Sequence, residues 1–198
     1  MHRLVWLGLL FCLGFLSVSS PLYAAPSPDL WPRWEVHDAT STQGIDHQLW
    51  DDFLDRFLDT SNASGVHLLR YATVDTAGRE QLQRYLQQLQ ATPISDFNRD
   101  EQMAFWINLY NARTVALILE EYPVSSITDI SFSLFSFGPW DEELVTVEGE
   151  ELSLDDIEHR VLRPIWRDPR IHYAVNCASI GCPNLQPRAF TAATLERQ

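Results

Sequence analysis

The segment NRDEQMAFWINLYNARTVALILEE, residues Asn98–Glu121, determines the fold of this chain. Asn98 followed three residues later by Glu101 is the spacing of a capped helix start. Pro123 lies just beyond the segment and would end a helix there. We therefore predict the strongest helix of the chain from Arg99 to about Glu121.

Outward from this helix, the pattern alternates between helical and strand-like segments. Apolar spacing and capping signals predict helices at Asp46–Leu58, at Thr76–Gln90, at Ser153–Leu162 with a stop at Pro164, and from Thr191 onward. Strand-forming residues predict strands at Val66–Val74 and Ile171–Asn176, and a small hairpin at Leu144–Leu152. Without regular strand–helix–strand alternation, the expected class is α+β, with several amphipathic helices around a small, mainly antiparallel sheet.

The first 25 residues have the composition of a secretory signal peptide: a weakly positive start, an apolar run and a small-residue ending. Residues 26–45 are rich in Pro, Ser and Thr, and are expected to form a linker or irregular arm. Residues 46–198 are expected to form one domain. The predicted location is periplasmic or secreted, with no stable membrane span after cleavage.

The charge of the chain limits its partners. Fourteen Lys and Arg residues stand against 27 Asp and Glu residues, for a formal net charge of -13, and no basic stripe is present. This balance argues against binding to nucleic acid or to an anionic membrane surface. A small molecule, peptide or protein of the cell envelope is the expected partner, and no cofactor is expected.

Cys177 and Cys182 are the two cysteines that remain after removal of the leader, and they lie in the stretch IHYAVNCASIGCP, Ile171–Pro183. An even count in an oxidising compartment favours a disulfide. Alternatively, Cys177 is a nucleophile with a His base and an Asn that orients the base. A metal site drawing on Cys177, Cys182, His159 and His172 is the third alternative, although four intervening residues are a loose spacing for zinc.

The base for such a thiol depends on the local backbone. Were Ile171–Asn176 a straight strand, His172 and Cys177 would point to opposite faces, about 16 Å apart. His159 would then be the better partner for the thiol, although a lone helical His is often structural.

Asn108 and Asn111 are three residues apart on the central helix and therefore share a face. One interpretation is that an Asn orients a catalytic imidazole or lines a pocket. The other, which the cost of a buried amide favours, is that both fix the backbone of a neighbouring loop.

Four segments together resemble one family: AFWINLYNARTV, the dipeptide PW at Pro139–Trp140, LSLDDIEHRVLRP and DPRIHYAVNCASIGCPNL. In this order they are similar to the domain of unknown function 547 family, over roughly Asp46 to Gln198. The recurring positions of the family fall on Trp106, Asn108, Tyr110, Asn111, Trp140, Glu158, His159, His172, Asn176, Cys177 and Cys182. Family members usually continue beyond the cysteines with a further helical stretch, so the resemblance implies a chain truncated at its C-terminus.

The resemblance carries no established activity, so three hypotheses stay open. The first is a Cys/His thiol hydrolase or transferase acting on an amide or ester, with catalytic residues Cys177, His159, His172 and Asn108. In it, the residues expected to bind the substrate are Asn111, Asn176, Trp106, Trp140 and Glu158. The second is a non-catalytic binding or scaffold module with a Cys177–Cys182 disulfide, and the third is the Cys/His metal site.

Overall fold

A computed structural model describes residues 29–130, 138–179 and 181–198. The predicted leader, residues 1–25, lies outside these ranges.

The described chain consists of helices with two small strand pairs. The helices are α1 (Gln48–Phe57), α2 (Thr76–Gln90), α3 (Arg99–Glu121), a π-helical segment (Asp156–Leu162) that runs directly into α4 (Arg163–Trp166), and α5 (Ile171–Ala174). The strands are β1 (Leu58–Asp59), β2 (Leu68–Leu69), β3 (Val145–Val147) and β4 (Glu150–Leu152). β1 pairs with β2 and β3 with β4, both antiparallel. The α+β class is confirmed, with two separate strand pairs in place of one small sheet.

Helix α3 forms the centre of the core. Every residue from Ala104 to Ala112 is buried, so the helix is covered on all sides. Helix α2 packs against both α1 and α3, and the π segment packs against α3. Helix α3 therefore lies between α2 and the π segment.

The predicted start of α3 is confirmed by its cap. The Asn98 side chain accepts hydrogen bonds from the backbone N–H groups of Asp100 and Glu101. The Ser153–Asp156 capping box is also present: the Asp156 carboxylate accepts from the Ser153 N–H, and the Ser153 hydroxyl accepts from the Asp156 N–H.

Residues 29–45 lie against the domain. Trp34, in a 3₁₀ turn at Pro32–Glu35, is only 2% exposed, and its ring packs edge-on against Trp106 at 4.9 Å. Apart from that turn, residues 29–45 contain no helix or strand, and the side chains of Trp31 and Trp34 pack in the core cluster.

The predicted stop at Pro164 is wrong, because the helix continues to Trp166. Pro164 has no N–H, so one helical hydrogen bond to the preceding turn is lost. The arm bonds to the same turn: Asp29 N–H donates to the His159 carbonyl at 3.3 Å and Trp31 N–H to the Arg160 carbonyl at 3.0 Å. Long-range backbone hydrogen bonds thus join the arm to the turn that precedes the proline.

Three other predicted elements differ from the structure. The strand expected at Val66–Val74 is reduced to β2, followed by a 3₁₀ turn at Tyr71–Thr73. The strand expected at Ile171–Asn176 is wrong, because α5 occupies its first four residues. The helix expected from Thr191 is present only as hydrogen-bonded turns, with Leu195 N–H donating to the Thr191 carbonyl.

Over the described ranges, none of the helices has the length and apolar character needed to cross a membrane.

Candidate functional site

The two asparagines of α3 hold the backbone of the C-terminal segment. The Asn108 amide donates to the Phe190 carbonyl at 2.8 Å, and its oxygen accepts from the Phe190 N–H at 2.9 Å. Asn111 donates to the Ala174 carbonyl at 2.9 Å and accepts from the Asn176 N–H at 2.8 Å. Each carboxamide therefore bonds to backbone N–H and C=O groups, as a neighbouring strand would. This agrees with the interpretation that both asparagines fix the backbone of a neighbouring loop.

Asn176 continues this arrangement into the cysteine loop, residues 177–182. Its oxygen accepts from the Ala178 N–H at 2.9 Å, and its amide donates to the Pro183 carbonyl at 2.5 Å. The side chain thus spans the base of the loop. Ala178 has φ +57°, a left-handed conformation that the first of these bonds helps to fix.

The sulfur atoms of Cys177 and Cys182 lie at bonding distance, with their Cα atoms 6.0 Å apart. In the described part of the chain, neither cysteine is hydrogen-bonded to a histidine, so the geometry does not pair Cys177 with His159 or His172. The prediction that His172 and Cys177 point to opposite faces of a straight strand is also wrong, because His172 belongs to the single turn of α5.

His172 instead belongs to a cluster around the π segment. The Arg163 guanidinium donates to the Glu158 carboxylate at 2.5 and 3.0 Å and approaches His172 Nδ1 at 3.5 Å. Burial, followed by the negative charge of Glu158, raises the pKa of the Tyr110 hydroxyl on α3 above its usual range. Glu158 and Arg163 thus form a half-buried ion pair between the π segment and α4, and this pair accounts for Glu158 as a structural residue.

His159 is 8% exposed, and its Nε2 lies 4.0 Å from Asp155 Oδ1. The pKa of the imidazole is lowered, and burial is the main cause. Burial, followed by the negative charge of Glu158, raises the pKa of Asp155 to about 6. The pair is therefore desolvated but too far apart for a direct hydrogen bond.

Two tryptophans remain among the predicted site residues. Trp106 is a core residue packed between Trp34 and Phe105. Trp140 is half-buried, and its carbonyl accepts from the Asp155 N–H at 2.8 Å. Within the described ranges, no three His, Cys, Asp or Glu side chains lie close enough to hold a metal ion, so Cys177, Cys182, His159 and His172 do not converge on one.

A groove of about 340 Å³ runs beside the cysteine loop, and we call it the β2 groove. One wall is the β1–β2 side of the fold, and Val115 of α3 also lines the groove. The other wall is formed by residues 176–179 and 182–185. The groove is lined by Leu58, Val66, His67, Leu68, Leu69, Tyr71, Val115, Asn176, Ala178, Ser179, Cys182, Pro183, Asn184 and Leu185.

Strand β2 presents a free edge at this groove. The Arg70 N–H donates to the Phe57 carbonyl, so Leu58 and Leu69 form the pair without mutual hydrogen bonds. The N–H and C=O of Leu69 therefore point away from β1, and no described residue hydrogen-bonds to either group. Leu68 beside it is 44% exposed.

His67 and Asn184 join the two walls at one end of the groove. Asn184 donates to the Gly65 carbonyl and accepts from the His67 N–H at 2.9 Å. His67 Nδ1 lies 2.7 Å from the Leu185 carbonyl. A carbonyl only accepts, so Nδ1 carries the proton, and a neutral His67 has its free lone pair on Nε2.

Sequence reasoning did not identify His47, His67 or Asn184. His47 is 5% exposed, with Nδ1 2.7 Å from the Tyr85 hydroxyl, and burial lowers its pKa to about 4. Each of these side chains is defined by a partner far away in the chain, such as Leu185 for His67, 118 positions later. No local pattern marks them.

Comparison with known proteins adds one match. The model of a family described as "Protein of unknown function, DUF547" matches residues 94–198, which is more than half of the chain. The match begins later than the resemblance seen in the sequence and includes every motif that carried it. No curated protein matches the chain, and no solved structure matches it either.

Proposed function

Because the chain belongs to the DUF547 family, which is described only as being of unknown function, we propose a function from its own geometry. The chain is an exported binding module that holds an extended peptide in the β2 groove. Its place of action is the periplasm or the exterior, and its partner is a segment of an envelope protein.

The free edge of β2 is the observation that supports peptide binding most directly. Leu69 directs an N–H and a C=O away from β1, which is the hydrogen-bonding pattern that an added strand requires. The groove beside that edge is lined largely by apolar side chains, among them Leu58, Leu68, Val115 and Leu185. Backbone bonds would supply affinity, and these side chains would select apolar residues of the peptide.

The opposite wall is preorganised. Asn176 spans the base of the cysteine loop, and Asn184 ties the segment after it to Gly65 and His67. A wall that is already ordered costs little conformational entropy when a ligand binds. In the proposed resting state, a bond between Cys177 and Cys182 completes this rigid wall.

The same bond makes the binding module a better account than a thiol hydrolase. A nucleophilic cysteine must be a free thiolate next to a base. Here the sulfur of Cys177 lies against that of Cys182, and no described histidine contacts it.

Selection of binding peptides tests this proposal. A displayed library of random peptides is panned against the mature chain, and the affinities of the enriched peptides are measured by fluorescence anisotropy. We expect extended, apolar sequences whose affinity falls at least about tenfold in Leu68→Asp, since a charge would be desolvated in the groove.

Val36→Asp is the matched control, because Val36 is also an exposed apolar residue (54%) and does not line the groove. Its affinity for the selected peptides should equal that of the wild type. Failure to enrich any peptide, or equal binding by Leu68→Asp, would overturn the proposal.

A further inference from the structure

The Cys177–Cys182 pair lies at the β2 groove and is not sealed in the core. Both cysteines are half-buried, and Cys182 is the one that lines the groove. A thiol carried by a bound peptide would therefore meet the sulfur of Cys182 first.

The cysteine loop is also fixed by bonds that do not depend on the sulfur–sulfur bond. Asn176 joins Ala178 to Pro183 across the base of the loop, and the Cys182 N–H donates to the Ser179 carbonyl at 2.9 Å. Asn111 holds the residue that precedes Cys177. Opening the bridge would leave these hydrogen bonds in place. The loop can therefore alternate between bridged and open forms while its two ends stay joined.

A base is available in the same groove. His67 lines it, and the bond from Nδ1 to the Leu185 carbonyl leaves Nε2 as the proton acceptor of the neutral ring. No described residue hydrogen-bonds to Nε2. An imidazole fixed in this tautomer is suited to take a proton from a thiol.

We propose that the Cys177–Cys182 bridge exchanges with a thiol of the peptide bound in the β2 groove, by attack at Cys182. This inference rests on the proposed binding function. His67 Nε2 takes the proton of the peptide thiol, and the thiolate attacks Cys182 Sγ. A peptide–Cys182 disulfide forms, the bond to Cys177 breaks, and the Cys177 thiolate receives the proton from His67.

A second thiol of the same peptide completes the reaction. It attacks the peptide sulfur of the mixed disulfide and releases Cys182 as a thiol, with its own proton passing to the leaving sulfur. Two electrons then pass from the peptide dithiol, which becomes a disulfide, to the bridge, which becomes two thiols. The partner class is therefore an envelope polypeptide with a dithiol.

Reduced glutathione is the probe for the first step. The mature protein is mixed with it, quenched in acid, and the modified cysteine is located by peptide mass mapping. We expect the mixed disulfide on Cys182. A second experiment treats two single-cysteine variants with glutathione disulfide. Cys177→Ser, which keeps Cys182, should be modified about tenfold faster than Cys182→Ser, because only Cys182 lines the groove. Glutathione on Cys177, or equal rates, would overturn the proposal.

The base is tested with His67→Gln. Bridge opening at pH 7 should slow about tenfold, because only a few per cent of a free thiol is ionised at that pH, and recover towards the wild-type rate at a pH where the thiol ionises unaided. His37→Gln is the control, because the exposed His37 also places Nδ1 on a carbonyl, that of Glu35, outside the groove. An unchanged rate in His67→Gln would remove His67 from the account.

These outcomes are separable from those of the binding test. A bridge that forms but resists glutathione, in a protein that still binds the selected peptides, removes the exchange reaction alone. Loss of peptide selection with intact exchange at Cys182 removes the binding function alone.

Discussion

The carboxamide of Asn108 is hydrogen-bonded to both backbone groups of Phe190: it donates to the carbonyl and accepts from the N–H. The two residues are 82 positions apart, and both are buried. One side chain of the central helix therefore holds a C-terminal segment that lacks regular secondary structure. Asn111 does the same for the segment that leads into the cysteine loop.

Replacing Asn108 by alanine should destabilise the fold by about 2–4 kcal/mol, because two buried backbone groups lose their partners. Urea unfolding, followed by tryptophan fluorescence, measures this change. Asn62→Ala is the control, because Asn62 bonds only within an exposed turn, and it should cost less than about 1 kcal/mol. Equal stabilities of the two variants would show that the hydrogen bonds from Asn108 to Phe190 do not stabilise the fold.

Helix α3 was predictable from sequence because its signals are local. Asn98 caps the first turn and Pro123 follows the last, and the observed helix spans Arg99–Glu121. The identity of Asn108 and Asn111 as polar residues on a buried helix also pointed to backbone contacts. Their partners could not be predicted, since nothing near Phe190 or Ala174 in the sequence marks them.

The error at Ile171–Asn176 has a local cause. Its residues favour strands, but Asp168 accepts from the Arg170 N–H, and its carbonyl accepts from the Ile171 N–H. This Asx turn continues into the single turn of α5, so the local hydrogen bonds of Asp168 outweighed side-chain propensity. The groove was not predictable either, because its walls come from the region of β2 and from residues 176–185.

Acid should weaken the fold through His47. Burial lowers its pKa from 6.5 to about 4. Between these values the unfolded chain binds a proton that the folded chain does not, so stability is fully present above pH 6.5 and falls as the pH drops towards 4. The contribution is about 3 kcal/mol.

Urea unfolding at pH 7.5 and pH 4.5 measures this effect. The free energy of unfolding should fall less between pH 7.5 and pH 4.5 in His47→Gln than in the wild type. This comparison does not depend on how stable each protein is at pH 7.5. The same loss in both proteins would contradict a neutral, buried His47.

Asp155 should act in the opposite direction. Burial and the charge of Glu158 raise its pKa from 3.8 to about 6, so the folded chain holds a proton that the unfolded chain releases. Its contribution is present below pH 3.8 and is lost as the pH rises through 6.

Asp155→Asn keeps the neutral form at every pH. We expect it to stabilise the protein by on the order of 1–2 kcal/mol at pH 7.5 and to have little effect at pH 4. Thermal unfolding at both values is the measurement, with the exposed Glu121→Gln as control. A variant that is less stable than the wild type at pH 7.5 would show that the ionised carboxylate is needed.

The arm at residues 29–45 should be required for stability. Trp34 is buried against Trp106, and the backbone of the arm donates hydrogen bonds to the His159 and Arg160 carbonyls. Trp34→Ala should cost about 3–5 kcal/mol in urea unfolding, whereas Val36→Ala, at an exposed site, should cost less than about 0.5 kcal/mol. A loss below about 1 kcal/mol for Trp34→Ala would instead make the arm a loosely attached linker.

The proposed bridge between Cys177 and Cys182 underlies both the rigid wall of the groove and the exchange reaction. Intact-mass measurement of the mature, unfolded protein after alkylation, with and without prior reduction, tests it most directly. Without reductant, we predict no alkyl group, and after reduction two. Two alkyl groups on the unreduced protein, isolated from an oxidising compartment, would contradict the bridge and with it this account of the groove.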